Sequence, residues 1–92
     1  MVTLSAKLKL YITTSKSLKN KRAIRQSVIA KVKQKFNVAI SEVDAHDLHQ
    51  ALVLGVAVVS ADRKHAQEMI DTIIEFIEDN AEAELIDVEY KE

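Results

Sequence analysis

Val2, Leu4, Ala6, Leu8, Leu10 and Ile12 alternate with Thr3, Ser5, Lys7, Lys9, Tyr11 and Thr13. A period of two held over that stretch predicts a strand with one buried face. A helix of about nineteen residues follows, opening near Ser17 and closing at Phe36. Ser17 is its natural N-cap, and Asn20 stands three residues on, where a capping box places an acid or Gln. Asn37 closes this helix, Val38–Val43 reads as a second strand, and Asp44–Gln50 is a polar connection. Leu52–Val59 is apolar throughout except for Gly55, the pattern of a central strand covered on both faces.

A second helix is expected from Asp62 to Asn80. Ala66, Met69, Ile70, Ile73, Ile74, Phe76 and Ile77 form its apolar stripe, with Glu68, Asp71, Glu75, Glu78 and Asp79 opposite. Leu85–Tyr90 alternates as a last strand. Strand, helix, strand, strand, helix, strand, with no linker or repeat, makes residues 1–92 a single α+β domain. Two right-handed crossovers around a hairpin predict the ferredoxin-like βαββαβ sandwich: a four-stranded antiparallel sheet, order 4-1-3-2, with two helices on one face.

Charge changes the picture. Residues 1–41 hold ten Lys/Arg and no acid, a balance of +10, whereas residues 42–92 hold three Lys/Arg against fourteen acids, a balance of −11. Such a split points to a nucleic-acid or membrane partner, or to two parts of one fold that neutralise each other. The expected topology offers the second route. Lys19, Lys21 and Arg22 at the start of the first helix lie at the same end as Glu75, Glu78 and Asp79 at the finish of the second. Lys7 and Lys9 can likewise face Asp87 and Glu89 on neighbouring strands.

On a helical wheel, the inner stripe of the first helix reads Leu18, Arg22, Arg25, Ile29, Val32 and Phe36. The two arginines either pack their stems and pair internally or project from the end of the sandwich. In the second case Ser15, Ser17, Lys19, Lys21, Arg22 and Arg25, with the free N–H groups of the helix start, would form an anion or phosphate site. Lys31, Lys33 and Lys35 extend the basic character along the helix as a solvated face.

Several stretches taken together resemble a known family. Ser17-Leu18-Lys19-Asn20-Lys21-Arg22 resembles its SLKxKR signature; Phe36-Asn37-Val38, Glu42-Val43-Asp44, Gly55-Val56-Ala57-Val58-Val59-Ser60 and Asp62-Arg63-Lys64-His65-Ala66 follow in matching order. The chain is similar over essentially its whole length to the YlxP-like family of small bacterial proteins of unknown function. That resemblance implies the ferredoxin-like fold and a link to translation, and supplies no catalytic residues. The family commonly carries an aromatic in the hairpin connection, in a pattern like QDLWQ. Here the stretch is His46-Asp47-Leu48-His49-Gln50, so a stacking role for that aromatic does not carry over.

Other chemistry is sparse. The chain has no Cys, no Pro and a single glycine, Gly55, which excludes disulfides, thiolate nucleophiles and Gly-rich phosphate loops. His46 and His49, three apart beside Asp44 and Asp47, are weak metal candidates, because nothing else completes a tetrahedral set; no metal and no cofactor are expected. Ser15 or Ser17 beside His46 or His49 is too generic a pairing to define a nucleophile and base. Base stacking on the sheet is unsupported too, since the third strand has no aromatic and the first only Tyr11. With no signal-like start and no long apolar run, the expected setting is cytoplasmic, away from membranes.

The resulting expectation is a non-enzymatic accessory protein that binds RNA or a ribosomal subunit through its basic first helix. The alternatives are a homodimer joined through the open sheet face and binding a small anionic ligand, or a protein–protein adaptor using the acidic second helix.

Overall fold

The computed structural model describes residues 1–91. Its elements are β1 (Val2–Tyr11), α1 (Leu18–Lys35), β2 (Ala39–Asp44), β3 (Ala51–Ser60), α2 (Arg63–Asn80) and β4 (Glu84–Lys91). The strands form one antiparallel sheet in the order β2-β3-β1-β4, the expected order read from the other edge. β1 and β3 pair over their full length, from Val2↔Ser60 to Tyr11↔Ala51, and make the spine of the sheet. The fold is the ferredoxin-like α+β sandwich.

Alternation along β1 buries Leu4, Ala6, Leu8 and Leu10 on the helix-facing side, and Ile12 continues the series just past the strand. They meet Leu52, Leu54, Val56 and Val58 of β3, Ala66, Ile70, Ile73 and Ile77 of α2, and Val28 and Val32 of α1 in one core. Each fully buried Leu or Ile contributes about 1.5–3 kcal/mol of hydrophobic stabilisation, so α2, with its three buried isoleucines, anchors the helical layer.

The third strand departs from its expected double cover. Its outward positions are Val53, Gly55, Ala57 and Val59. Val53 is 6% exposed, whereas Val59 is 62% exposed, and Ala57 is exposed as well. Within the chain, the outward side of β3 is closed at Val53 and open at Ala57 and Val59.

The first helix also sits differently on the sheet. Lys21, Val28 and Val32 are its buried residues, while Leu18 is exposed and Arg22 faces solvent. The inward face is turned by about 60° from the stripe expected at 3.6 residues per turn. A lysine occupies the core position that pattern reading assigns to an arginine, and the reason is electrostatic.

Candidate functional site

The start of α1 is closed by its own residues. Ser17 Oγ accepts the Asn20 backbone N–H at 3.1 Å, and Asn20 Oδ1 accepts the Lys16 N–H at 3.3 Å. This is the expected N-cap, with Asn20 reaching back one residue beyond the cap. The Ser15 hydroxyl donates to the Ser17 carbonyl at 3.1 Å, and Ser15 is buried. The Ser15 hydroxyl hydrogen is thus used within the chain, while Ser17 Oγ serves the helix start as an acceptor.

Lys21 is turned inward. Its Nζ lies 2.6 Å from the Ala45 carbonyl, 2.9 Å from the Leu48 carbonyl and 2.8 Å from Glu42 Oε2. An ammonium has three hydrogens and no acceptor, and three oxygens surround this one. The buried Oε2 meets this ammonium as its ion-pair partner. Arg25 Nη1 completes the cluster, donating to Glu42 Oε1 at 2.9 Å. The Lys21 and Glu42 side chains are only 3% and 6% exposed.

Burial alone would push the Glu42 carboxyl up. The contacts and positive charges of Lys21 and Arg25 outweigh it and hold the group below its ordinary value. Glu42, the first acid in the chain, is therefore the counter-ion of the first helix. The internal compensation read from the charge split exists, but it reaches these two cations from β2 and not from the acids of α2.

The same cluster fixes the β2–β3 connection. Ala45 has φ 56°, in the left-handed region, which costs a non-glycine residue about 1–2 kcal/mol. Its N–H donates to Asp44 Oδ1 at 2.7 Å. Its carbonyl takes the Leu48 N–H at 3.1 Å as well as the Lys21 ammonium. His49 Nδ1 stands 3.1 Å from the Ser15 carbonyl; since a carbonyl only accepts, Nδ1 carries the hydrogen. The expected closeness of Ser15 and His49 is real, yet it runs through the Ser15 backbone while the hydroxyl turns to Ser17. Among the described residues no three of His, Cys, Asp or Glu converge as metal ligands, and His46 is an exposed turn residue.

Of the six residues expected to form an anion site, Ser15, Ser17, Lys21 and Arg25 are engaged in the fold. Lys19 and Arg22 remain exposed, as do the neighbouring Lys16 and, farther along, Lys33. At 100° per residue Lys19, Arg22, Gln26 and Lys33 share the flank of α1 on the Arg25 side, toward β2. The other flank, with Ala23, Ser27 and Lys31, lines a groove against Asn80, Ala81 and Glu82 at the end of α2. The exposed cations among the six thus lie on an open flank, on a helix without a single acid.

On the far side of the sheet, Lys7 and Glu89 approach to 3.8 Å with both side chains about half exposed, and Lys9 stands opposite Asp87. An exposed pair of this kind contributes about 0–1 kcal/mol. The register faces both lysines with acids as expected, and the first pair comes within ion-pair range.

The class of protein is thus a small ferredoxin-like sandwich with an internally latched helix start and a basic outer flank. A family described as "Protein of unknown function (DUF503)" matches residues 3–90, and the chain belongs to it. The chain is also 37% identical over 68 residues, 74% of each protein, to the "Uncharacterized protein YlxP" of Bacillus subtilis (strain 168), in line with the resemblance carried by its motifs.

Proposed function

We propose that this protein is a non-enzymatic cytosolic accessory factor that binds RNA, free or within a ribosomal particle, through the outer flank of α1. The observation that carries this reading is the division of the basic cluster. Lys21 and Arg25 are consumed by Glu42, while Lys19, Arg22 and Lys33 stay exposed on one flank that has no acid of its own. Cations that the fold does not need are the ones free to meet phosphate. No aromatic platform accompanies them, so recognition is through the backbone, with strong salt dependence and little sequence preference.

The test is fluorescence anisotropy of a labelled structured RNA across a salt series. Log–log salt slopes fall by about 0.7–0.9 for each phosphate contact removed. Lys19→Gln with Arg22→Gln should therefore lower the slope by about 1.4–1.8, while Lys31→Gln, on the other flank, leaves it unchanged. Equal slopes for wild type and the double variant would refute the assignment.

A further inference from the structure

The exposed cations on the β2-side flank of α1 stand at its two ends. Lys16, Lys19 and Arg22 are exposed at the start and Lys33 near the finish. Lys35 is occupied over the Phe76 ring, 4.9 Å from its centre, and Lys31 lies on the flank toward α2. Between Arg22 and Lys33 the flank exposes Gln26 and Ala30, and Arg25 beside them is bound to Glu42. At 1.5 Å per residue this uncharged interval is about 16 Å long.

We infer that the RNA bound by this flank is double-stranded, taken across the shallow minor groove of its A-form helix with one end of α1 on each strand. The inference deepens the proposed function and rests on it. A single strand laid along α1, its phosphates spaced about 3.4 Å apart as in one strand of a duplex, would leave about four of them over the uncharged interval. A duplex instead presents two rows of phosphate with a groove between, which matches two charged ends and a neutral middle. The middle suits what that groove displays. The Gln26 amide both donates and accepts, as does the ribose 2′-hydroxyl, and Ala30 is small enough for close approach.

The rival forms fit less well. Single strands are held by bases stacked on aromatic rings, and this flank exposes none. The major groove of B-form DNA takes in a whole helix, and α2 stands in the way of that. Phe36, at the end of α1, packs its ring 5.4 Å from that of Phe76 on α2. Glu68, Glu75 and Asp79 are exposed on α2, so insertion would drive carboxylates toward the phosphates. A shallow groove needs no insertion.

Fluorescence anisotropy at one low salt concentration compares a labelled blunt RNA duplex, its two separated strands and the DNA duplex of the same sequence. The RNA duplex should bind most tightly, and the DNA duplex controls for charge alone. Lys33→Gln should weaken binding of the RNA duplex more than of either strand. Gln26→Lys, which fills the uncharged interval, should tighten binding of the single strands and narrow the difference. Gln26→Ala should lose the preference for the RNA duplex over the DNA duplex. All these positions are exposed, so the circular dichroism spectrum should not change. A single strand or a DNA duplex bound as tightly as the RNA duplex would overturn this inference and leave the proposed function standing. Failure of every nucleic acid to bind would overturn both.

Discussion

Lys21 Nζ and Glu42 Oε2 lie 2.8 Å apart with both side chains almost wholly buried, joining the basic first helix to the first acid of the chain. The pair sits at the hinge of the charge distribution. It converts one of the ten cations of the N-terminal part into a structural bolt that pins α1 to β2 and, through the Ala45 and Leu48 carbonyls, to the β2–β3 connection. Removing one partner of a buried pair leaves the other charge stranded, at a cost of about 3–5 kcal/mol. Lys21→Met should therefore lose about 3 kcal/mol, the lower figure because Arg25 still faces Glu42. Urea unfolding followed by circular dichroism measures it, and a loss below about 1 kcal/mol would show the bolt to be ornamental.

Acid should loosen the same bolt. The Glu42 carboxyl is held below its ordinary value of 4.5 in the fold, so the unfolded chain takes up its proton first. The stabilisation is fully present above the unfolded value and disappears as pH falls through the lower, folded one. Wild type should exceed Glu42→Gln in stability at neutral pH, with the gap closing toward strong acid. A gap that widened on acidification would contradict the ion-pair account.

The left-handed Ala45 gives a prediction of opposite sign. Glycine adopts φ 56° without the Cβ clash, at an entropic cost of about 0.5–1 kcal/mol against a relief of about 1–2. Ala45→Gly should leave the midpoint of thermal unfolding unchanged or raise it slightly. Ala45→Val should lower it, because a branched side chain tolerates that conformation poorly.

Gly55 and Val43 should behave as a coupled pair. Gly55→Ala places a methyl 2.8 Å from Val43 Cγ1, and the exposed valine must rotate away. The expected loss is about 1 kcal/mol, at the mild end for overpacking. In a double-mutant cycle, Val43→Ala should relieve most of it; additive losses would place the strain elsewhere.

Most of the fold was legible because its signals are periodic. Alternation in β1, the apolar stripe of α2 and the Ser17 cap each placed an element to within a residue or two. The inward face of α1 was not legible, since wheel reading ranks residues by hydrophobicity and Lys21 is buried by pairing. The role of Glu42 is not legible either, although the first acid after forty-one residues without one is a usable signal. Which cations stay exposed is not legible. Lys19 and Arg22 were named among six candidates, but which cations the fold consumes depends on where β2 brings its carboxylate, a tertiary fact that local pattern does not encode. The cover over β3 is not legible, because an unbroken apolar run looks alike whether it is covered within the chain, covered by a partner or merely composed of small residues.

The division of the basic cluster into buried and free cations is tested most directly by co-sedimentation with ribosomal particles from lysate across a salt series. Wild type should associate at low salt and dissociate as salt rises. Lys19→Gln/Arg22→Gln/Lys33→Gln should fail to associate while remaining as stable as wild type, and Lys31→Gln should bind normally. Association by the triple variant equal to that of wild type, or the absence of any wild-type association at low salt, would contradict the account.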